Sequence, residues 1–153
     1  MIVASGGTMS TKIVVGLDGS EAGNRAVSYA TNLASLIGDC ELIIVYVIEW
    51  SPYSFQTPEE NAERHKRREE EIGAALSRVV TPAVEAVKKD GCAARGMVKH
   101  GHVADLLDKI AVDEGAAQIV IGRSSEGGIV QRVFGTSTAN LVMSASVPVT
   151  VVG

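Results

Sequence analysis

Residues 12–20 read KIVVGLDGS, and this stretch decides the class of fold. The unbroken apolar run Ile13–Val15 is rich in β-branched residues and predicts a strand that is buried on both faces. Glycines and Asp18 follow the run and indicate a loop, and Ser20 or Asp18 can cap the next element. Apolar residues then recur at helical spacing as far as Ile37. The domain therefore begins with a strand followed by a helix.

The rest of the sequence repeats this alternation of strands and helices. Further strands are predicted at Leu42–Ile48, Ala93–Lys99, 116–122 and Val147–Val152. Helices are predicted from about 57–59 onward, from Val103 to near Gly115, and around Leu141 and Val142. Pro82 lies inside the second helix, where it predicts a kink or a break. The order βαβαβαβαβ indicates an α/β fold with a single open, mostly parallel five-stranded sheet and helices on both faces.

Length, composition and charge exclude several classes of protein. With 153 residues, 46% of them hydrophobic, the chain corresponds to one globular domain. Its net charge is -4 and no basic stripe is interleaved with aromatics, so we expect no nucleic-acid partner. It has neither an apolar run of about 20 residues nor a signal-peptide pattern, which predicts a soluble, cytoplasmic protein without membrane contact. We expect residues 1–10 to be a disordered N-terminal extension and residues 11–153 to be the domain.

One glycine-rich stretch carries the best candidate site. Residues 121–142 read IGRSSEGGIVQRVFGTSTANLV, and they leave a predicted strand, cross a loop and enter a predicted helix at 135–137. The start of a helix presents free backbone N–H groups and the positive end of its dipole, so phosphate binding is physically reasonable there. A flexible loop with an ordinary Ser or Thr cap explains the same residues and remains open.

Four segments together resemble the universal stress protein family over nearly the whole chain after Met9. They are the opening IVVGLDGSE, the turn HGHVAD before the third helix, the glycine loop, and the closing SASVPVTVV. The resemblance implies a Rossmann-like fold of the adenine nucleotide alpha hydrolase type and a regulatory role in stress responses. It also implies a homodimer formed through the C-terminal strand Val147–Val152, and a signalling partner that the sequence does not identify.

The loop matches the pattern G-x2-G-x9-G-[ST] of nucleotide-binding family members at all but one position. Ser125 stands where the second glycine belongs, between Gly122 and Gly135. The resemblance implies that Gly122 lies against a ribose and Ser125 beside the phosphates. It likewise implies that Gly135, Thr136 and Ser137 hold phosphate oxygens.

The same resemblance assigns residues on the first two strands to the nucleoside. It implies that Asp18 accepts hydrogen bonds from the ribose hydroxyls. It also implies that Gly16 and Leu17 lie beside the base, and that Val47 contacts the adenine.

Two residues of the loop depart from the family pattern. Ser125 costs on the order of 1 kcal/mol relative to glycine if the backbone has positive φ there. Glu126 places a carboxylate where it would repel a triphosphate, and Arg123 offers a compensating charge. The expected ligand is therefore ATP or another adenine nucleotide (AMP, cyclic AMP or ADP), with or without Mg²⁺. The alternative is a nucleotide-free protein-interaction module with a degenerate pocket.

Other chemistries find less support in the sequence. No G-x4-GK[ST] occurs, no G-x-G-x-x-G follows the first strand, and no G-x-S-x-G elbow is present. His100 and His102 lack a third metal ligand and are interpreted as loop histidines. We therefore predict no catalytic residues, no metal site and no enzymatic activity, while weak ATP hydrolysis or autophosphorylation stays open.

Overall fold

The computed structural model describes residues 10–49, 57–123 and 130–153, with the backbone alone described for residues 130–136. Its five strands form one sheet in the order β3-β2-β1-β4-β5, and all four strand pairs are parallel. The strands are β1 Thr11–Leu17, β2 Cys40–Glu49, β3 Ala93–Gly101, β4 Gln118–Gly122 and β5 Val149–Val152. The α/β fold with an open parallel sheet is thus confirmed.

The helices connect consecutive strands and cover both faces of the sheet. They are α1 Glu21–Ile37, α2 Pro58–Ala75, α3 Thr81–Lys89, α4 Val103–Glu114 and α5 Val130–Ser144, and a π turn at Leu76–Val80 joins α2 to α3. As the sequence predicts, Ser20 caps α1, and its side chain accepts a hydrogen bond from the Gly23 N–H. Helix α2 begins with a capping box in which Thr57 and Glu60 exchange hydrogen bonds.

Two apolar layers hold the helices against the sheet. On one face Ile13, Val15 and Ile44 pack with the small side chains of α1 and with Val84 of α3. On the other face Val14 and Ile43 pack with Leu107 of α4 and Leu141 of α5. Because the central strands β1, β2 and β4 alternate between these two layers and are covered on both sides, their buried parts are continuous runs of Val, Ile and Leu.

Pro82 is accommodated by a π turn. The sequence predicts a kink or break at this proline, but the helix continues with one widened turn, in which the Thr81 N–H donates to the Leu76 carbonyl five residues earlier. A proline ring crowds the carbonyl of the turn before it, and the extra residue in a π turn makes room for the ring.

Several element boundaries differ from the sequence-based expectation, and two of these differences change how the site or the sheet edge is described. Helix α5 begins at Val130, so residues 130–135 belong to a helix rather than to the predicted loop over 122–135. Strand β5 begins at Val149 rather than Val147, because Pro148 has no N–H to donate to a ladder. The predicted disordered extension falls largely on residues 1–9, which lie outside the described residues. In the described part of the chain, no helix combines the length and apolar character needed to span a bilayer.

Candidate functional site

A cavity of about 310 Å³ opens at the carboxyl ends of the central strands. The chain proceeds from β1 outward to β2 and β3 and then returns to place β4 on the other side of β1, so the strand order reverses between β1 and β4. At such a switch point the connections leave in opposite directions and a crevice forms between them. The ends of β1, β2 and β4 line this crevice together with residues of α4 and α5.

Six of the nine site residues expected from the family resemblance line this one cavity. They are Gly16, Leu17, Asp18, Val47, Gly122 and Ser137. They come from β1, the turn after it, β2, β4 and α5, and the sheet order brings them together. Their roles toward a ligand remain predictions.

Asp18 is held in place by the start of α1. Its Oδ1 accepts hydrogen bonds from the backbone N–H of Ser20 at 2.9 Å and from the Ser20 hydroxyl. The same hydroxyl oxygen accepts a bond from the Gly23 N–H at 3.4 Å. Asp18 is exposed, and the two hydrogen bonds from Ser20 use only one of its carboxylate oxygens. The carboxylate is therefore fixed at the mouth of the cavity by the residue that caps the helix.

Gly122 is required by a close approach of two backbones. A Cβ at this position would lie 2.1 Å from the carbonyl oxygen of Ala22, in the first turn of α1. Real Cβ atoms do not approach that closely, so β4 and α1 can meet here only at a glycine. Gly122 is thus explained by packing alone, whatever its role toward a ligand.

The predicted phosphate-binding residues at 135–137 do not lie at a helix start. Gly135 and Thr136 lie within α5, which begins at Val130, and so they lie beyond its first turn. Amides beyond the first turn of a helix bond to carbonyls four residues earlier and are not free for a phosphate. The expectation of a helix that starts at 135–137 is therefore wrong. Ser125 and Glu126 lie outside the described residues.

Glu49 is a cavity residue that the sequence analysis does not identify. It is the last residue of β2, and its Oε1 accepts a long hydrogen bond of 3.4 Å from the Ser137 hydroxyl. Glu49 is the last residue of the apolar stretch ELIIVYVIE, where a terminal glutamate looks like an ordinary exposed strand end. The only sequence signal is its position at the carboxyl end of a strand, because Ser137 lies 88 residues away in the chain.

The two histidines of the HGHVAD segment have different surroundings. His100 belongs to β3, not to a loop as expected; its side chain is 12% exposed, and its Nε2 lies 3.8 Å from a Glu71 carboxylate oxygen. Burial, reinforced by the charge of Arg68, lowers the pKa of His100. His102 is exposed and precedes α4 without a side-chain capping bond. Neither histidine lines the cavity.

Comparison with known proteins agrees with this architecture. The model of the universal stress protein family matches residues 9–153. A curated relative, "Universal stress protein MJ0531" of Methanocaldococcus jannaschii, is 28% identical over 152 residues, a match that covers 99% of this chain and 86% of the relative.

Solved structures share the fold at low sequence identity. The universal stress protein UspA of Lactobacillus plantarum superimposes with a TM-score of 0.79 at 21% identity, over 95% of this chain and 99% of that one. A universal stress protein in complex with cAMP gives a TM-score of 0.66 at 22% identity, over 95% and 98% of the two chains. One from Archaeoglobus fulgidus in complex with dAMP gives 0.59 at 20% identity, over 94% and 98%. With a match to the family model over nearly its whole length and with this fold, the chain belongs to the universal stress protein family.

Proposed function

We propose that this protein is a regulatory module of the stress response that binds an adenine nucleotide in the cavity between β1 and β4. The observation that carries the proposal is the convergence of Gly16, Asp18, Val47 and Ser137 on one crevice at the strand-order reversal. Open α/β sheets bind ligands at such reversals, and a cavity of about 310 Å³ is at the lower end of the range for small-molecule sites.

The chemistry of the lining suits a nucleoside better than it suits a long phosphate chain. Val45, Val47 and Leu107 offer apolar surface for a base, and the Asp18 carboxylate offers an acceptor for ribose hydroxyls. For phosphate oxygens the described lining offers the hydroxyls of Ser137 and Thr138. The solved relatives in complex with cAMP and dAMP support an adenine ligand. The candidate ligands are ATP, ADP, AMP and cyclic AMP, with or without Mg²⁺.

The proposal assigns regulation rather than catalysis to this cavity. None of the described lining residues is a histidine, cysteine, lysine or arginine, so the described lining provides neither a neutral general base nor a cation for phosphoryl transfer. Turnover of ATP well above the uncatalysed rate, lost on Asp18→Ala, would instead support an enzyme.

We further propose that the protein is a cytoplasmic homodimer and that it acts through a signalling partner. Strand β5 is an edge strand with four residues, and one of them, Val151, is 39% exposed. An apolar edge with open hydrogen-bonding groups is a natural place for a second copy to pair.

A second candidate function is a protein-interaction module of the same fold whose pocket stays empty. Two observations favour it: the Ser137 hydroxyl already donates to Glu49, and α5 begins before the residues that were expected to present free amides. In this alternative the dimer forms, but no adenine compound binds.

Nucleotide content and affinity distinguish the two candidates. The purified protein is denatured, and any released nucleotide is identified by chromatography. The stripped protein is then titrated with ATP, ADP, AMP and cyclic AMP, with and without Mg²⁺. Saturable binding at micromolar or tighter level supports the nucleotide module. A folded protein that releases nothing and binds none of the four contradicts it and leaves the interaction module.

A substitution at Asp18 tests the location of the site. Asp18→Asn keeps an acceptor for the Ser20 N–H but removes the charge, so it should weaken nucleotide binding by about tenfold or more, the value of a hydrogen bond to a charged group. Asp90→Asn makes the same change at an exposed position after α3 and should leave the affinity unchanged. Equal affinity in wild type and Asp18→Asn would place the ligand elsewhere.

A further inference from the structure

We infer that Glu49 restricts this cavity to adenine ligands with little phosphate charge, so that adenosine, cyclic AMP and AMP bind in preference to ADP and ATP. The inference rests on the proposed function and specifies its ligand. It begins with one contact, in which Glu49 at the end of β2 accepts the Ser137 hydroxyl of α5 at 3.4 Å.

The contact places a negative charge at the phosphate end of the cavity. If Asp18 receives the ribose, the hydroxyls of Ser137 and Thr138 on α5 are described lining groups that can bind the phosphates. The Glu49 carboxylate lies within hydrogen-bond distance of one of them. A phosphate that bound there would approach a like charge to within a few ångströms, where near a protein surface the repulsion weakens binding on the order of tenfold or more.

The described part of the lining contains nothing that offsets this charge. Both of its charged residues, Asp18 and Glu49, are acidic. Arg123 follows Gly122 directly, but its guanidinium lies beside Gly153 at the end of β5 and does not line the cavity. The amides of residues 135–137 lie beyond the first turn of α5 and bond within the helix.

The discrimination should grow with the number of phosphates. Adenosine carries no charge, and a cyclic phosphodiester carries a single charge on a phosphate that two ester bonds hold close to the ribose. A triphosphate carries several charges and extends furthest from the ribose toward Glu49. Because Glu49 is exposed, its effect is electrostatic rather than a steric plug, and it should weaken as ionic strength rises.

The test compares Glu49→Gln with the wild type. Full-length protein is titrated with adenosine, cyclic AMP, AMP and ATP in EDTA at low and at high ionic strength. The wild type should bind ATP more weakly than AMP or cyclic AMP. Glu49→Gln should raise the ATP affinity about tenfold at low ionic strength and leave adenosine unchanged within about twofold.

Glu85→Gln is the matched control, because it removes the same charge from an exposed position on α3 outside the cavity lining. Its ratio of ATP to AMP affinity should equal that of the wild type. If Glu49→Gln leaves this ratio unchanged while AMP still binds, the inference is wrong and the proposed function stands. If no adenine compound binds to the wild type or to Glu49→Gln, the inference and the proposed function are both wrong.

Discussion

The glycine at position 122 has two possible physical explanations. The family resemblance places it against a ribose, whereas the structure places its Cα so close to the Ala22 carbonyl that a Cβ would lie 2.1 Å away. We expect Gly122→Ala to destabilise the ligand-free protein by about 2 kcal/mol, in the range of overpacked core substitutions. Urea unfolding of nucleotide-stripped protein measures this change.

Gly73→Ala is the control, and it should change the free energy of unfolding in the opposite direction. Gly73 lies in α2, and a methyl group added there would meet no atom within 4 Å, so alanine should stabilise the helix by about 0.5–1 kcal/mol. If Gly122→Ala unfolds at the wild-type urea concentration but loses nucleotide affinity, the glycine serves the ligand and not the packing.

Single residues also show how far the candidate site can be read from the sequence. Asp18 and Gly16 lie at the end of an obvious buried strand, so their place at the carboxyl edge of the sheet is predictable. Glu49 also ends a strand, yet its importance depends on a partner 88 residues away. Contacts of that kind depend on how α5 sits over the sheet, which no local pattern encodes.

At the scale of elements, the sequence predicts a helix or strand correctly where its local signals agree, and it fails where the same residues fit two structures equally well. Helix α1 has a Ser cap, an apolar stripe and a terminal glycine, and its bounds agree with the expectation. The start of α5 had no such signal, because a glycine-rich segment followed by Thr-Ser looks like a loop and a cap. Pro82 indicated a disturbance, but whether a helix breaks or widens depends on the packing on both sides of it.

An ion network joins elements at the opposite end of the sheet from the cavity. Arg95 of β3 donates to Glu41 of β2 and, through two nitrogens, to Glu114 at the end of α4, while Lys12 of β1 lies 3.6 Å from Glu114. The hydrogen bond from Arg95 lowers the pKa of the Glu114 carboxyl. One side chain thus ties two strands and a helix together.

This network predicts a specific dependence of stability on pH. Because the pKa of Glu114 is lower in the folded state, its stabilisation is complete above the ordinary glutamate pKa of about 4.3 and is lost as the pH falls through the lower folded value. We expect Arg95→Met to be less stable than the wild type near neutral pH and the gap to narrow below about pH 4. Urea midpoints measured between about pH 7 and about pH 3 test this.

The control for Arg95→Met is Lys109→Met, which breaks an exposed pair with Asp113 within α4. Exposed pairs of this kind contribute little, so the variant should follow the wild-type profile. A gap between Arg95→Met and the wild type that stays constant down to acid pH would show that the ionised Glu114 carboxylate is not the source of the stability that Arg95 provides.

At the scale of the whole molecule, the order of strands in the sheet creates the cavity between β1 and β4 and leaves β5 as an edge strand. The alternating pattern predicts a parallel sheet with a ligand crevice, but several strand orders satisfy it, and the structure shows the order that brings β4 beside β1. The same order puts β5 at one edge. The cavity and the proposed dimer surface are therefore two consequences of one topology.

The direction of the backbone groups on β5 gives the dimer proposal a sharp test. The carbonyls of Pro148 and Val152 accept hydrogen bonds from the N–H groups of Ile119 and Arg123 on β4. Because backbone groups alternate sides along a strand, the N–H and C=O groups of Val149 and Val151 point away from β4, toward the open edge. If a second copy pairs along this edge, the Val151 N–H is one of the donors. Val151→Pro removes that donor at a position where an edge strand tolerates proline, so the chain should fold but sediment as a monomer.

Val151→Thr keeps both the N–H and the β-branched shape and should leave the dimer intact. Sedimentation velocity over a range of concentrations reads out both variants, with circular dichroism to verify the fold. A dimer that survives Val151→Pro would mean that copies associate through another surface, and β5 would then be an edge protected only by its short length. A monomer from Val151→Pro that still binds nucleotide would show in addition that the cavity is complete within one chain.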